Sequence, residues 1–352
     1  MKISILIPCH NEEKFIRHCL ESCFGQTRPA DEILVVDDGS TDQTPQILAE
    51  FGDKIKVVTI ARATGNKSYA QELGLTHITG DIFAVTDGDT ILDKDFLKRV
   101  EIDFLNEPEI AAVGGYVKSI RNNWLTACRE LDYIIGQDLY KFAQSIIGHM
   151  FVIPGCAGAF RTDIFKKYIR FEHDTITEDL DFTYKLHDKY LKIKFDRRAI
   201  SWTQDPATLH SYVNQMRRWL GGGWQNLLKH LRLVSRPTGA LILSMMYLEG
   251  LAFSLFLILL PLFNIILFIK FVIPYLFFSM ILGVYGAISH RRLDLLIFWP
   301  LHPFVVFLNA VIFLEQFFKV VILKRKVFGW FTPERIVPDT GSLRRKGILL
   351  PD

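Results

Sequence analysis

Cysteine is scarce in this chain and never paired in pattern. Cys9, Cys19, Cys23, Cys128 and Cys156 form no C-x-x-C, and no histidine stands at zinc-finger spacing from them. That excludes a zinc ribbon and a disulfide framework, and it fits a reducing compartment where free thiols serve as small buried side chains. A surplus of one charge is missing as well. Lys and Arg number 41 against 38 Asp and Glu, and no basic stripe interleaved with aromatics occurs in the first 236 residues. A nucleic-acid partner is therefore not expected. A secretory leader is not expected either, because Met1-Lys2 runs straight into Ile3-Ser4-Ile5-Leu6-Ile7-Pro8. That run is too short for a signal-peptide core and predicts a buried strand.

One long stretch lacks charge almost entirely. From Pro237 to Leu323 the only charged residues are Glu249, Lys270, Arg291, Arg292, Asp294, Glu315 and Lys319. With 49% hydrophobic residues overall, the contrast predicts a globular domain followed by a membrane unit. Three apolar segments, 239–260, 262–287 and 293–323, are each long enough for a crossing of about 20 residues. Lys270 and Pro274 interrupt the second, and Pro300, His302 and Pro303 the third. Just before them, 221–236 reads as an interfacial amphipathic helix. Trp224, Leu227, Leu228 and Leu231 fall on one face, with Lys229, His230 and Arg232 on the other. The expected division is 1–220 for the globular domain, 221–236 for the interfacial helix, 237–323 for the membrane region and 324–352 for a basic tail. Lys324-Arg325-Lys326 and Arg344-Arg345-Lys346 favour the cytosolic side for that tail. Keeping both ends on one side predicts a spanning hairpin, with the proline-broken third segment re-entrant or interfacial.

What is present in the first part is alternation. Strand-like runs at 3–7, 32–36, 55–60, 82–86 and 110–114 are separated by helical patterns at 12–24, 44–51 and 67–77. This predicts an α/β fold with a mostly parallel, Rossmann-like sheet covered on both faces. From about residue 120 to 236 the pattern reads as mainly helical. Polar clusters stand at strand ends: Pro8-Cys9-His10-Asn11, Asp37-Asp38-Gly39-Ser40 and Asp87-Gly88-Asp89. In open α/β sheets the ligand site forms outside the carboxyl ends of the strands, so these clusters converge on one edge.

Each cluster has its own chemistry. Two carboxylates flanking Gly88 suit a hard divalent cation bridging to phosphates. Asp37 or Asp38 could accept hydrogen bonds from a base or ribose, or simply build a turn. Lys67 opens a helix, near the positive end where a phosphate would bind. Thr177-Glu178-Asp179 starts another helix, where a cap and the macrodipole would also explain the acids. Gln215, Arg218 and Trp219 lie at i, i+3 and i+4 on one helix face. There the guanidinium suits a phosphate and the indole a pyranose face, or else the indole packs into the core.

In order, D-D-G-S, G-N-K, D-G-D, T-E-D and Q-x-x-R-W followed by apolar segments resemble family 2 glycosyltransferases. More narrowly, they are similar to the branch of cellulose, hyaluronan, chitin and poly-N-acetylglucosamine synthases. The resemblance runs from about Lys2 to Gly223, with a looser echo at Trp330-Phe331-Thr332-Pro333-Glu334-Arg335. It implies a GT-A fold, an inverting transfer and a bound Mg²⁺ or Mn²⁺. It also implies a UDP-sugar donor, a saccharide or glycolipid acceptor, and a multi-pass plasma-membrane protein with a cytosolic catalytic domain. Asp37 and Asp38 would contact the uridine, Lys67 the donor and Asp87 the sugar nucleotide. Asp89 would bind the metal, and Asp179 would be the general base. Gln215, Arg218 and Trp219 would hold the diphosphate and the acceptor sugar, and 155–161 would form the acceptor-side loop. No apolar span stands before the first strand, and the branch's C-terminal gating sequence is not evident. A non-processive transferase acting on a lipid or polyprenyl-linked acceptor is therefore the alternative. A transporter would leave the nucleotide-binding pattern unused, and a silent scaffold would not be expected to keep all three acidic motifs.

Overall fold

Continuous β-branched runs become strands buried on both faces. Ile3–Cys9 (β1) is buried at every residue, as a strand covered by helices on both sides requires. In a computed structural model, the described residues are 1–120 and 122–325. The Arg344-Arg345-Lys346 cluster and the echo at residues 330–335 lie outside them, as does most of the expected tail. The described chain forms two compact units, Met1–Ile120 with Ser145–Gln204, and 122–144 with 205–325.

In the first unit, β1 is followed by α1 (Ile16–Phe24), β2 (Glu32–Asp38), α2 (Thr44–Ala49), β3 (Lys56–Ile60) and α3 (Lys67–His77). Then come β4 (Ile82–Val85), β5 (Thr90–Leu92), α4 (Phe96–Asn106) and β6 (Ile110–Ser119). After α5 (Trp124–Ile135), which belongs to the second unit, and α6 (Phe142–Ile147), the first unit resumes with β7 (Gly158–Arg161), α7 (Thr162–Tyr168), α8 (Glu178–Asp188) and β8 (Lys192–Thr203). The eight strands make one sheet in the order β3-β2-β1-β4-β7-β6-β8-β5. β1 is parallel to both neighbours, with Cys9 opposite Asp37 and Leu6 opposite Val85. β2–β3 and β6–β8 are also parallel, while β7 runs antiparallel to β4 and β6, and β5 antiparallel to β8. The parallel half, β3-β2-β1-β4, is where the alternating pattern predicted it. β7 and β8 fall in a stretch whose sequence reads as mainly helical. Leu6, Leu34, Phe83, Phe160 and Phe182 are central to the core. Each side chain of that size stabilises the fold by roughly 1.5–3 kcal/mol when buried.

The chain order of this sheet fixes the site. From β1 the chain moves outward to β2 and β3, then returns to place β4 on the other side of β1. The carboxyl ends of β1, β2 and β4 therefore flank a topological switch point, where α/β sheets bind ligands.

The second unit contains α5, a π-helical turn at Gly136–Lys141, and α9 (Leu209–Lys229). It continues with α10 (Pro237–Leu243), α11 (Glu249–Phe263), α12 (Ile265–Ser289), α13 (Leu295–Phe298) and α14 (His302–Phe317). The division differs from a cut at residue 220. Residues 205–220 group with the helical unit because α9 is one uninterrupted helix, and its Tyr212 and Met216 are buried with Val305 and Ile312. The expected interfacial helix at 221–236 is thus the second half of α9 followed by a 3₁₀ turn at Leu231–Ser235. Among the described residues, three helical stretches are long and apolar enough to cross a membrane: Pro237–Phe263, Ile265–Ser289 and Leu295–Ile322. Asn264 separates the first two and caps α12 by accepting from the Leu267 N–H. Pro300 and Pro303 do not break the third stretch. They occupy the first positions of a 3₁₀ turn and of α14, where no intrahelical N–H is needed.

Candidate active site

The loop after β2 is built around two buried acids. Both oxygens of Asp38 are held by Thr64, through its N–H at 3.0 Å and its O–H at 2.7 Å. Asp37 Oδ1 accepts from the Ser40 N–H at 3.0 Å. Gly39 between them and the next strand has φ +62°, and a Cβ there would stand 2.4 Å from the Ala63 nitrogen. Only glycine fits both demands. His10 Nδ1 lies 2.7 Å from the Asp38 carbonyl, which ties the end of β1 to the end of β2. Cys9, at that same end, has its thiol held well above the usual range by burial, with the Asp37 and Glu12 charges adding to it.

Lys67 is the hub on the other side of β1. It is the first residue of α3, whose N-cap Asn66 accepts from the Ser68 N–H. Its ammonium pairs with Asp87 and lies 3.4 Å from Glu178 Oε1. Burial alone would lower its proton affinity, but the Asp87, Glu178 and Asp179 carboxylates more than reverse that. Burial pushes the Asp87 carboxyl upward; Lys67 opposes the shift, and Asp89 and Glu178 add to it. Asp87 keeps about a third of its side chain exposed, so it is reachable from solvent at the strand ends. Asp89 is buried and accepts from the Thr90 hydroxyl at 3.1 Å.

Gly155 joins this cluster from the loop before β7. A Cβ built on it would touch Lys67 Nζ at 3.4 Å and Asp179 Oδ2 at 3.7 Å. Cys156 beside it has its thiol raised by burial, then by Asp87, with Lys67 opposing. The structure thus gathers Lys67, Asp87, Asp89 and Asp179 around one cleft. It adds Glu178, read from sequence only as part of a helix start, and Gly155 and Cys156 of the expected acceptor-side loop. The Thr64 clamp on Asp38 had no sequence signal at all. Asp179 is half-buried in the first turn of α8, where its Oδ1 accepts from the Leu180 N–H at 2.9 Å. Thr177, the expected cap of α8, makes no side-chain capping bond.

Among the described residues, no three His, Cys, Asp or Glu side chains form a complete metal cage. Like charge is nonetheless crowded here, since Asp89 and Glu178 add to the upward push that burial gives Asp87. Mg²⁺ and Mn²⁺ sites on transferases of phosphates commonly use one or two carboxylates, completed by phosphate and water. Asp89 and Asp87 fit such an ion.

The Q-x-x-R-W residues stand on α9 in the second unit. Gln215 is buried, and its Oε1 accepts no hydrogen bond among the described residues. Trp219 is 36% exposed, with the Arg129 guanidinium 5.1 Å from its ring centroid. Arg129 belongs to none of the motifs legible in the sequence.

These features define a nucleotide-sugar transferase fold with an acidic switch-point site. Residues 4–169 match the model for glycosyl transferase family 2, and the chain carries a domain of that family. Over 231 residues it is 31% identical to a poly-beta-1,6-N-acetyl-D-glucosamine synthase of Staphylococcus epidermidis, covering 64% of this chain and 56% of that protein. The match thus spans about half the length of that curated relative. "Probable glycosyltransferase YdaM" of Bacillus subtilis is 28% identical over 327 residues, 90% of this chain and 71% of its own length. Among solved structures, S. aureus TarS 1–349 in complex with UDP-GlcNAc superposes with TM-score 0.50 at 19% identity, covering 92% of this chain and 93% of its own. Mannosyltransferase PcManGT from Pyrobaculum calidifontis, in complex with GDP-Man and Mn²⁺, gives TM-score 0.55 at 18% identity, covering 89% of this chain and 87% of its own. At those identities the likeness concerns the fold.

Proposed function

We propose that this glycosyltransferase is membrane-bound and inverting, moving a hexosyl unit from a UDP-sugar to a saccharide hydroxyl to build a β-linked polysaccharide. The observation that carries the reading is the cluster of Lys67, Asp87, Glu178 and Asp179 at the switch point of the sheet. Asp37 and Asp38 hold the uridine side, and Lys67 and Asp87 the sugar-diphosphate side. Gln215, Arg218 and Trp219 serve the diphosphate and the acceptor. In the reaction the acceptor oxygen bonds to the anomeric carbon as that carbon's bond to the diphosphate oxygen breaks. Asp179 takes the hydroxyl proton, and the nucleoside diphosphate leaves with the bonding electrons. One displacement inverts the anomeric centre. A divalent cation held by Asp89 and Asp87 would supply positive charge to the departing diphosphate.

The S. epidermidis relative's name supports polymer synthesis, and the UDP-GlcNAc complex of TarS supports a uridine donor. The apolar helices support a bilayer setting. We place the protein in the plasma membrane with residues 1–236 in the cytosol, where nucleotide sugars are made. The deciding experiment is a donor screen on protein purified in detergent, reading nucleotide release and product mass together with Mg²⁺ or Mn²⁺. Release of UDP with growth of a sugar chain is expected. No release from any UDP- or GDP-sugar overturns transfer. Single addition to a lipid-linked acceptor replaces polymer synthesis, and full turnover in chelator removes the metal.

A further inference from the structure

Arg129 on α5 carries a permanent charge yet is only 5% exposed. Two acids hold its edge. Its Nη1 donates to Asp132 Oδ2 at 3.2 Å, and its Nε lies 3.6 Å from Asp205 Oδ1. Both acids are themselves fixed. The Tyr133 hydroxyl donates to Asp205 Oδ1 at 3.0 Å, and His302 Nε2 lies 2.8 Å from Asp132 Oδ1. The plane of the guanidinium is then left facing aromatic rings. Tyr133, Trp219 and Tyr212 lie with their centroids 4.9, 5.1 and 5.7 Å from Cζ. Tyr212 is fully buried, and its hydroxyl donates to Asn309 at 2.8 Å, so it is fixed without Arg129. Trp219 differs, being 36% exposed on the face of α9 that carries the Q-x-x-R-W motif.

We propose that Arg129 is a positioning residue for the acceptor sugar. It backs one face of the Trp219 indole so that the ring is held in one orientation for a pyranose. The inference rests on the reading of Trp219 as an acceptor-binding group. A purely structural Arg129 would need only charge to neutralise Asp132 and Asp205, and a lysine supplies that. A backing role needs the flat, delocalised cation, which lysine lacks.

Arg129→Lys in the full-length protein in detergent separates the two roles, with UDP-GlcNAc as donor and a β-linked N-acetylglucosamine oligosaccharide as acceptor probe. The expected result is an acceptor KM raised roughly tenfold, with donor KM and acceptor-independent UDP release within about twofold of wild type. Tryptophan emission should change on Arg129→Lys, and the change should vanish in a Trp219→Phe background. An unchanged acceptor KM, or an equal loss in donor KM, overturns the proposal. So does an emission change that persists without Trp219. If the unsubstituted protein releases UDP but lengthens no saccharide, the acceptor reading itself fails. The emission comparison still reports whether Arg129 holds the indole. Arg129→Ala is not the test, since it removes the cation beside Asp132 and the buried Asp205 and is expected to unfold the unit.

Discussion

Glu178 and Asp179 are neighbours in sequence with different tasks. Glu178 is buried and faces the Lys67 ammonium, whereas Asp179 is half-buried and faces the glycine loop. Asp179 is the residue proposed as the base. Asp179→Asn keeps the size and the bond from the Leu180 N–H but cannot take a proton. That variant should fold and bind nucleotide normally, yet transfer sugar at least about 100-fold more slowly, the lower end of a general-base contribution. Turnover within tenfold of wild type would return the residue to a capping role, worth only about 0.5–2 kcal/mol of stability. Glu178→Gln is the control, and an equal loss there would mean the base is misassigned. Asp89→Ala should fold but lose most activity, and near-normal turnover would remove Asp89 from the metal site. The acids were legible because they stand at strand ends and at a helix start, where residue type and local position suffice. Their partners were not. Lys67 meets Glu178 and Asp38 meets Thr64 only once the sheet has brought distant loops together.

At the scale of elements, α9 and β8 give contrasting lessons. The spacing of Gln215, Arg218 and Trp219 placed them on one helix face, and α9 does present them so. If the exposed indole binds a sugar, Trp219→Ala should cut transfer to acceptor by about tenfold or more while nucleotide affinity changes less than twofold. Equal transfer rates would leave the ring a packing residue. β8 was hidden because its charged residues obscure the alternation and its register with β6 shifts between Asp196 and Ile200. Asp196 of that strand also meets Asp103 of α4. Burial pushes Asp103 up to about 6, with Lys194 opposing and Asp196 adding. A carboxyl raised in the fold binds its proton more tightly there than in the unfolded chain, so its contribution to stability falls as pH rises from about 4 to 6. Asp103→Asn should therefore gain roughly 1–3 kcal/mol relative to wild type at pH 7.5. The gain should be absent near pH 4. Melting temperatures at the two pH values check this, and an equal difference at both would refute the coupling.

For the whole molecule, the apolar segments were plain in composition, but their depth in a bilayer was not. α14 bonds laterally to a polar helix, with Tyr212 donating to Asn309 at 2.8 Å and Arg217 to Glu315 at 2.9 Å. Its exposed Phe304, Phe307, Val311 and Phe318 are apolar. A helix as polar as α9 is costly in hydrocarbon, so α14 should lie in the interface beside it, leaving two crossings. A cysteine placed at Lys324 should then resist an impermeant maleimide in intact cells and react after lysis; labelling from outside would demand three crossings. Four of the native cysteines are buried and Cys156 is partly so, so replacing Cys156 keeps the background low. Across a full catalytic round, the pairing of Lys67 with Asp87 and Glu178 makes that lysine an occupied seat. On the proposed donor-binding role, an incoming diphosphate would have to draw the ammonium away from its own carboxylates, and the departing one would hand it back. Part of the attraction for substrate would thereby be cancelled in advance, weakening the grip on spent nucleotide, so that an internal ion pair would help product to go.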